Sequence, residues 1–382
     1  MTSSNQQHIV GLDILRLFAA MMVMCYHFVF IDWIVVGILP VEMQASAPEW
    51  GENLHFGWIG VEVFFVISGF VIANAANGAY SATRFLQGRV LRLAPASWIA
   101  ATITFISYAA LQTESIRLLV VGYIQTLLFW PLNAIDAVWW TLGIEIDFYL
   151  LVYFLIKKNL TQYFERIMIF IGSMSALFWI AALTMQWLLA GREGYFELFR
   201  SLVIRAQGNR ELQLLLVQHG CLFALGVILW KTYSSGLDKK RFLFLSLMVA
   251  ASLLEIWGQN GIIIRTTNLS ISPLPAIAVW IAFMAFFVIS LVYNDVIKKI
   301  LGSGTSITRF MGIATYPLYL VHQAIGRFVM VTFWPYLKNN EICLLLAAIF
   351  SLTISFLIAV YLEPAVRDFL FRRIRFFAPR IT

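Results

Sequence analysis

Eleven apolar runs alternate with short polar stretches along the chain, near residues 10–31, 57–78, 93–111, 116–131, 138–156, 166–190, 212–230, 241–258, 273–293, 308–332 and 341–362. Roughly 20 apolar residues cross a hydrocarbon layer about 30 Å thick as a helix. The pattern therefore predicts an all-α integral membrane protein whose helices form one bundle. No internal repeat, low-complexity tract or Gly/Ser linker divides it. We expect one domain over 1–382, with the bundle at about 10–362 and a short basic tail at 363–382.

Charge decides how many runs cross. Basic segments lie at Arg84, Arg89 and Arg92, at Lys157, Lys158 and Arg166, at Lys231 to Arg241, at Lys298, Lys299 and Arg309, and in the tail with Arg367, Arg372, Arg373, Arg375 and Arg380. The positive-inside rule places all of them in the cytoplasm. Eleven crossings would put the segments at Lys157 and Lys231 outside. All five fall inside if the short run at 116–131, which carries Gln125 and ends at Pro131, is re-entrant or interfacial. Ten spanning helices with both termini cytoplasmic are thus predicted. Arg192, Arg200, Arg205 and Arg210 fall in an outer loop, the one basic segment against the rule.

Composition narrows the class. The chain is 61% apolar and 12% charged, against roughly 45–50% and about 25% in soluble domains, so no sizeable soluble domain is left over. The net charge of +7 comes from Lys and Arg at the ends of apolar runs, where it orients helices rather than binding nucleic acid. Cys25, Cys221 and Cys343 stand singly in apolar runs with no C-x-x-C pair, which argues for small core residues and against a disulfide framework or a zinc site. Met1 to His8 is polar without Lys or Arg, so the first apolar run is expected to be retained rather than cleaved as a leader.

Ionisable groups inside such runs cost about 2.5–3.5 kcal/mol each at a helix centre, and are candidates for function or for buried pairing. Arg16 and His27 lie eleven residues apart in the first run with Asp13 nearby; at about 100° per residue they share a face, separated by roughly 16 Å. A histidine can exchange a proton near neutral pH, although a single one in a helix also fits a hydrogen-bonded core position. Glu62 and Ser68-Gly69 lie in the second run, where small residues alone would serve close helix packing. Arg89 and Arg92 share a face at the cytoplasmic edge and suit phosphate binding, or simply orientation and headgroup contact. Glu145 follows Trp139-Trp140, a pair suited to the membrane interface, at a depth where its carboxylate would orient the His27 imidazole; pairing with a basic residue is the structural alternative. Tyr319 and His322 lie three residues apart beyond Pro317, which is expected to break the helix ladder and open a polar pocket. Glu363-Pro364 is expected to end the last helix.

Taken in order, these residues resemble the acyltransferase-3 family of membrane acyltransferases, and the resemblance runs from Leu12 to about Arg367. It rests on Leu12-Asp13-x-x-Arg16 with His27, on Gly60 to Phe70 with Glu62 in place of the usual Asp, and on Arg89-x-x-Arg92 with Pro95. It continues through Trp140, Thr141, Leu142, Glu145, Phe148 and Tyr149, and through Thr315, Tyr316, Tyr319, Leu320 and His322, to Glu363-Pro364. Thr141 and Thr315 stand where the family usually has Ser.

The resemblance implies a ten-helix bundle in the inner (cytoplasmic) membrane that O-acylates, most commonly O-acetylates, a cell-envelope polysaccharide or lipid-linked sugar. Cytoplasmic acyl-CoA, with acetyl-CoA the commonest, would be co-substrate, with no permanently bound cofactor, no metal and no nucleic acid. Some members carry a further SGNH-type domain; none is expected here. His27 and Glu145 are the expected catalytic residues and Arg16, Arg89 and Arg92 the donor-binding set. Tyr319, His322, Glu62 and Ser68 are expected acceptor or oxyanion contacts. The rival is a transporter or flippase using the same intramembrane groups as a substrate or proton path; a catalytically inactive scaffold would keep the bundle but tolerate loss of His27.

Overall fold

The computed structural model describes residues 8–34, 39–78, 81–189 and 195–377. Met1 to Gln7, Arg192 and Arg380 lie outside the described residues, as do the side chains of Arg200, Arg373 and Arg375. The helices of eight or more residues are α1 Val10–Tyr26, α2 Ile59–Asn77, α3 Ala82–Leu111, α4 Ile116–Leu127, α5 Trp140–Lys157, α6 Phe164–Leu188 and α7 Tyr195–Gly208. They continue with α8 Gly220–Ser235, α9 Lys239–Thr267, α10 Leu274–Val292, α11 Asn294–Leu301, α12 Gly304–Leu337, α13 Asn340–Leu357 and α14 Glu363–Phe377. Among the described residues there is no strand.

Among the described residues eight helical stretches are long and apolar enough to cross a membrane; they contain α1, α2, α3, α5, α6, α9, α10 and α13. Two further helices lie within the bundle they form. Every residue of α8 from Gly220 to Ile228 is buried, as expected of a helix that is apolar all round and enclosed by others. α12 packs along α13, α1 and α3 and turns Thr315, His322 and Gln323 inward. By contrast α4 has 12 residues, about 18 Å of helix at 1.5 Å per residue, too short to cross alone. Leu128 to Asp136, which follow it, are irregular, with Phe129 and Asn133 at positive φ.

Close packing is set by backbone contacts. A Cβ on Gly69 would meet Phe223 O at 2.3 Å, and one on Gly226 would meet Val66 O at 2.1 Å. Only hydrogen at both positions lets α2 and α8 approach so closely, the small-residue packing usual in membranes.

Three local expectations change. Pro317 does not interrupt α12, which runs through both Pro317 and Pro335; packed neighbours hold a membrane helix together across a missing N–H. The chain does not end its last helix at Glu363-Pro364. A π-turn at Ile358–Leu362 leads directly into α14, where Pro364 falls near the helix start, a position whose N–H needs no partner. Trp139 is 4% exposed and donates to Ser97 Oγ at 3.2 Å, so it is a core residue rather than part of an interfacial belt.

Candidate active site

A cavity with about 840 Å³ of space between atoms, part of it open, lies among α1, α2, α3, α5 and α12. Arg16, Arg89 and Arg92 line it together with Ser68, Glu145 and Tyr319. Arg89 and Arg92 are one turn apart on α3, which starts at a Ser81 cap whose side chain accepts from Arg84 N. Arg16 pairs with Asp13 at 3.4 Å. Neither Arg89 nor Arg92 forms an ion pair among the described residues. Arg89 Nε is buried without a hydrogen-bond partner among the described residues, and its guanidinium lies 5.9 Å from the centre of the Tyr149 ring. Two unpaired guanidiniums against an apolar wall make a strong site for an anion.

Glu145 belongs to this arginine-lined space and not to His27. Its Oε1 accepts from Ser68 Oγ at 2.9 Å and from the Tyr149 hydroxyl. The expected Glu145–His27 pair is therefore not formed, because the carboxylate is engaged by α2 and by its own helix. Ser68, in turn, is committed to Glu145 rather than to an oxyanion position.

His27 is held by a different partner. α1 is α-helical through Tyr26, and a π-turn begins at His27 and runs to Ile31, the kind of irregularity often found at functional sites. Beside it, Trp33 Nε1 donates to Phe28 O at 2.5 Å. His322 Nδ1–H donates to Tyr319 O at 2.8 Å, which makes His322 Nε2 an acceptor. That nitrogen lies 3.0 Å from His27 Nδ1, which also lies 2.9 Å from Val23 O. Both contacts require the proton on His27 Nδ1, so the lone pair resides on His27 Nε2, for which there is no hydrogen-bond partner among the described residues. This is the tautomer that a general base needs.

The two centres meet at Tyr319. It lines the cavity, its ring lies 6.0 Å from that of His322, and its hydroxyl accepts from Thr141 Oγ1 at 3.0 Å. The Tyr319 O–H is thereby left able to donate. His27 and His322 themselves are not among the residues that line the cavity.

Glu62 does not join this site. It is 2% exposed and turns toward His219 and Glu255, in a separate buried cluster between α2, α8 and α9. The helix face that carries Ser68 and Phe64 looks into the cavity, and Glu62 occupies another face.

A second group escaped the sequence reasoning. Arg327 donates to Asp32 Oδ1 at 3.0 Å and to the Tyr108 hydroxyl at 3.0 Å, and Tyr108 donates to Asp136. Asp32 is fully buried. Arg327 lies in the apolar run at 308–332, so the cost of an intramembrane charge was the signal that could have found it. Its partners come from three other segments, and nothing in the sequence joins them. Of the outer-loop arginines, Arg210 stacks on Trp140 at 5.3 Å.

Comparison with known proteins adds the following. The acyltransferase-3 family model, described as an acyltransferase domain, matches residues 9–363. Nodulation protein 10 of Rhizobium leguminosarum bv. viciae is 29% identical over 169 residues, which is 37% of this chain and 43% of that protein's length. No solved structure matches.

Proposed function

Because the chain belongs to the acyltransferase-3 family and is a membrane acyltransferase, we propose that it transfers an acyl group from cytoplasmic acyl-CoA to a hydroxyl of a cell-surface polysaccharide or lipid-linked sugar. In this reading ten helices span the inner membrane, α8 and α12 among them, with both ends of the chain in the cytoplasm. The single observation that carries it is the run of groups through the bundle. Unpaired guanidiniums line one cavity with Tyr319, and Tyr319 packs against the histidine pair that frees His27 Nε2.

Arg89 and Arg92, with Arg16, hold the donor's phosphates. Glu145 balances their charge and is oriented by Ser68 and Tyr149. The thioester reaches past Tyr319 toward His27. The acceptor oxygen attacks the thioester carbonyl as His27 Nε2 takes its proton. The Tyr319 hydroxyl donates to the oxyanion that forms. Collapse breaks the C–S bond, and the departing CoA thiolate takes the proton back from His27. His322 is a positioning residue: its Nε2 accepts from His27 Nδ1 and keeps the reactive lone pair on the opposite nitrogen, as the third member of a triad does.

The test is release of free CoA from acetyl-CoA by purified, lipid-reconstituted protein supplied with envelope extract, with His27→Ala alongside. General-base loss is expected to lower release about 10²–10⁴-fold. Absence of release by the folded wild type, with propionyl- and longer acyl-CoAs also tried, would overturn the reading.

A further inference from the structure

Glu62 on α2, His219 capping α8 and Glu255 on α9 bring one ligand atom each to within 4.8 Å of one another. The relative exposures are 2%, 0% and 0%. His219 Nδ1 lies 2.5 Å from Glu255 Oε1, and the Cys221 thiol donates to Glu255 Oε2 at 3.0 Å. Glu62 Oε2 lies 3.7 Å from His219 Nδ1 and makes no hydrogen bond among the described residues, and His219 Nε2 is likewise sealed without a partner among them. Among the described residues neither carboxylate pairs with Lys or Arg.

A buried carboxylate needs a counter-charge or a hydrogen bond. A protonated His219 would bring one positive charge to two carboxylates, and its Nδ1 stays 3.7 Å from Glu62 Oε2, beyond hydrogen-bond reach. The charge count instead suits a divalent ion: two carboxylates and a neutral imidazole sum to −2. Ligands of a tetrahedral ion with bonds of about 2.0 Å stand roughly 3.3 Å apart, close to the 3.7 Å between Glu62 Oε2 and His219 Nδ1. His219 Nδ1 and Glu255 Oε1 are 2.5 Å apart, closer than two ligands of one ion, so binding requires Glu255 to rotate away and the proton between them to leave.

We propose that Glu62, His219 and Glu255 bind one Zn²⁺-type divalent cation that ties α2, α8 and α9 together, with the Cys221 thiol as a neighbour of Glu255. Imidazole with carboxylate oxygens is a donor set that Zn²⁺ accepts readily. The site is independent of the acyl-transfer chemistry. It also departs from the expectation drawn from cysteine spacing, because its ligands come from three helices and form no local motif. Uptake of the ion releases the protons that the ligands carry without it.

The experiment measures metal content by mass spectrometry on protein made without a histidine tag, both as purified and after stripping with a membrane-permeant chelator and incubation with Zn²⁺. About one zinc ion per chain is expected, together with a rise in the thermal unfolding midpoint. Glu62→Gln keeps the shape and removes the charge, and is expected to weaken binding at least about tenfold. His8→Ala, at the partly exposed His8–Asp13 pair, is expected to leave binding unchanged. Fewer than about one ion per ten wild-type chains under both conditions overturns the proposal, as does full binding by folded Glu62→Gln. Should Glu62→Gln not fold, X-ray absorption at the zinc edge of the wild type decides: a shell with one imidazole and carboxylate oxygens supports the site, and a shell without imidazole overturns it.

Discussion

Two buried histidines in this bundle are held in opposite ways. His27 meets a carbonyl and a second imidazole, both through Nδ1, so one ring nitrogen is fully engaged and the other is left with its lone pair. His219 meets two carboxylates through Nδ1, and its Nε2 is sealed beneath Phe65 and Trp140, whose rings lie 5.0 and 5.4 Å away. His27 is half-buried and next to a π-turn; His219 is wholly enclosed. A neutral acceptor partner and partial access suit an imidazole to proton transfer. Anionic partners and complete enclosure suit one to binding a cation or tying helices together. Residue type alone does not separate the two roles; the partners do.

Four substitutions break or sharpen that contrast. His27→Ala has the largest expected effect, a loss of about 10²–10⁴-fold in CoA release by protein that still folds, because it removes the base. Gly226→Ala acts on the other region: its Cβ would meet Val66 O at 2.1 Å, and overpacking between α2 and α8 is expected to cost about 1–3 kcal/mol of stability in detergent, measured by thermal unfolding. If activity falls while stability holds, the α2–α8 contact serves the cavity directly and the division between the regions fails.

His322→Ala is expected to lower turnover about 10–100-fold by releasing His27 Nδ1, with Gln at 322 restoring part of it because an amide oxygen can accept the same N–H. No rescue by Gln would assign His322 a role beyond positioning. Smallest is Arg89→Ala, expected to raise the KM for acyl-CoA about tenfold with kcat little changed, and not to be rescued by Lys, which lacks the planar fork. A change confined to kcat would move Arg89 away from the donor.

The bundle was legible in the chain because each span must satisfy its own backbone and therefore announces itself as a long apolar run. The shortness of α4 was readable in the same way, from charge and length. Arg16 and Tyr319 were legible as inward-facing because a charge or a hydroxyl in hydrocarbon is costly unless it faces inward, whereas Arg89 and Arg92 read only as a phosphate-binding or orienting pair at the cytoplasmic edge. Glu255, His219 and Arg327 fall under the same rule but were not singled out, because the cost of polarity says that a partner is needed without saying which.

Pairing was beyond its reach. Glu145 and His27 have matching depths on paper, yet Ser68 on α2 claims the carboxylate and His322 on α12 claims the imidazole. Glu62 sits in a motif beside Phe64 and Ser68 but leaves by another face of α2 to meet His219.

Sequence by itself therefore determined that this protein is a helical membrane bundle and which side chains must look inward, since the cost of polarity in hydrocarbon acts on each residue where it stands. Only the tertiary structure decided which of them meet. Hydrogen bonds reach about 3 Å, and which groups come that close is set by the rotation and approach of helices that lie far apart along the chain.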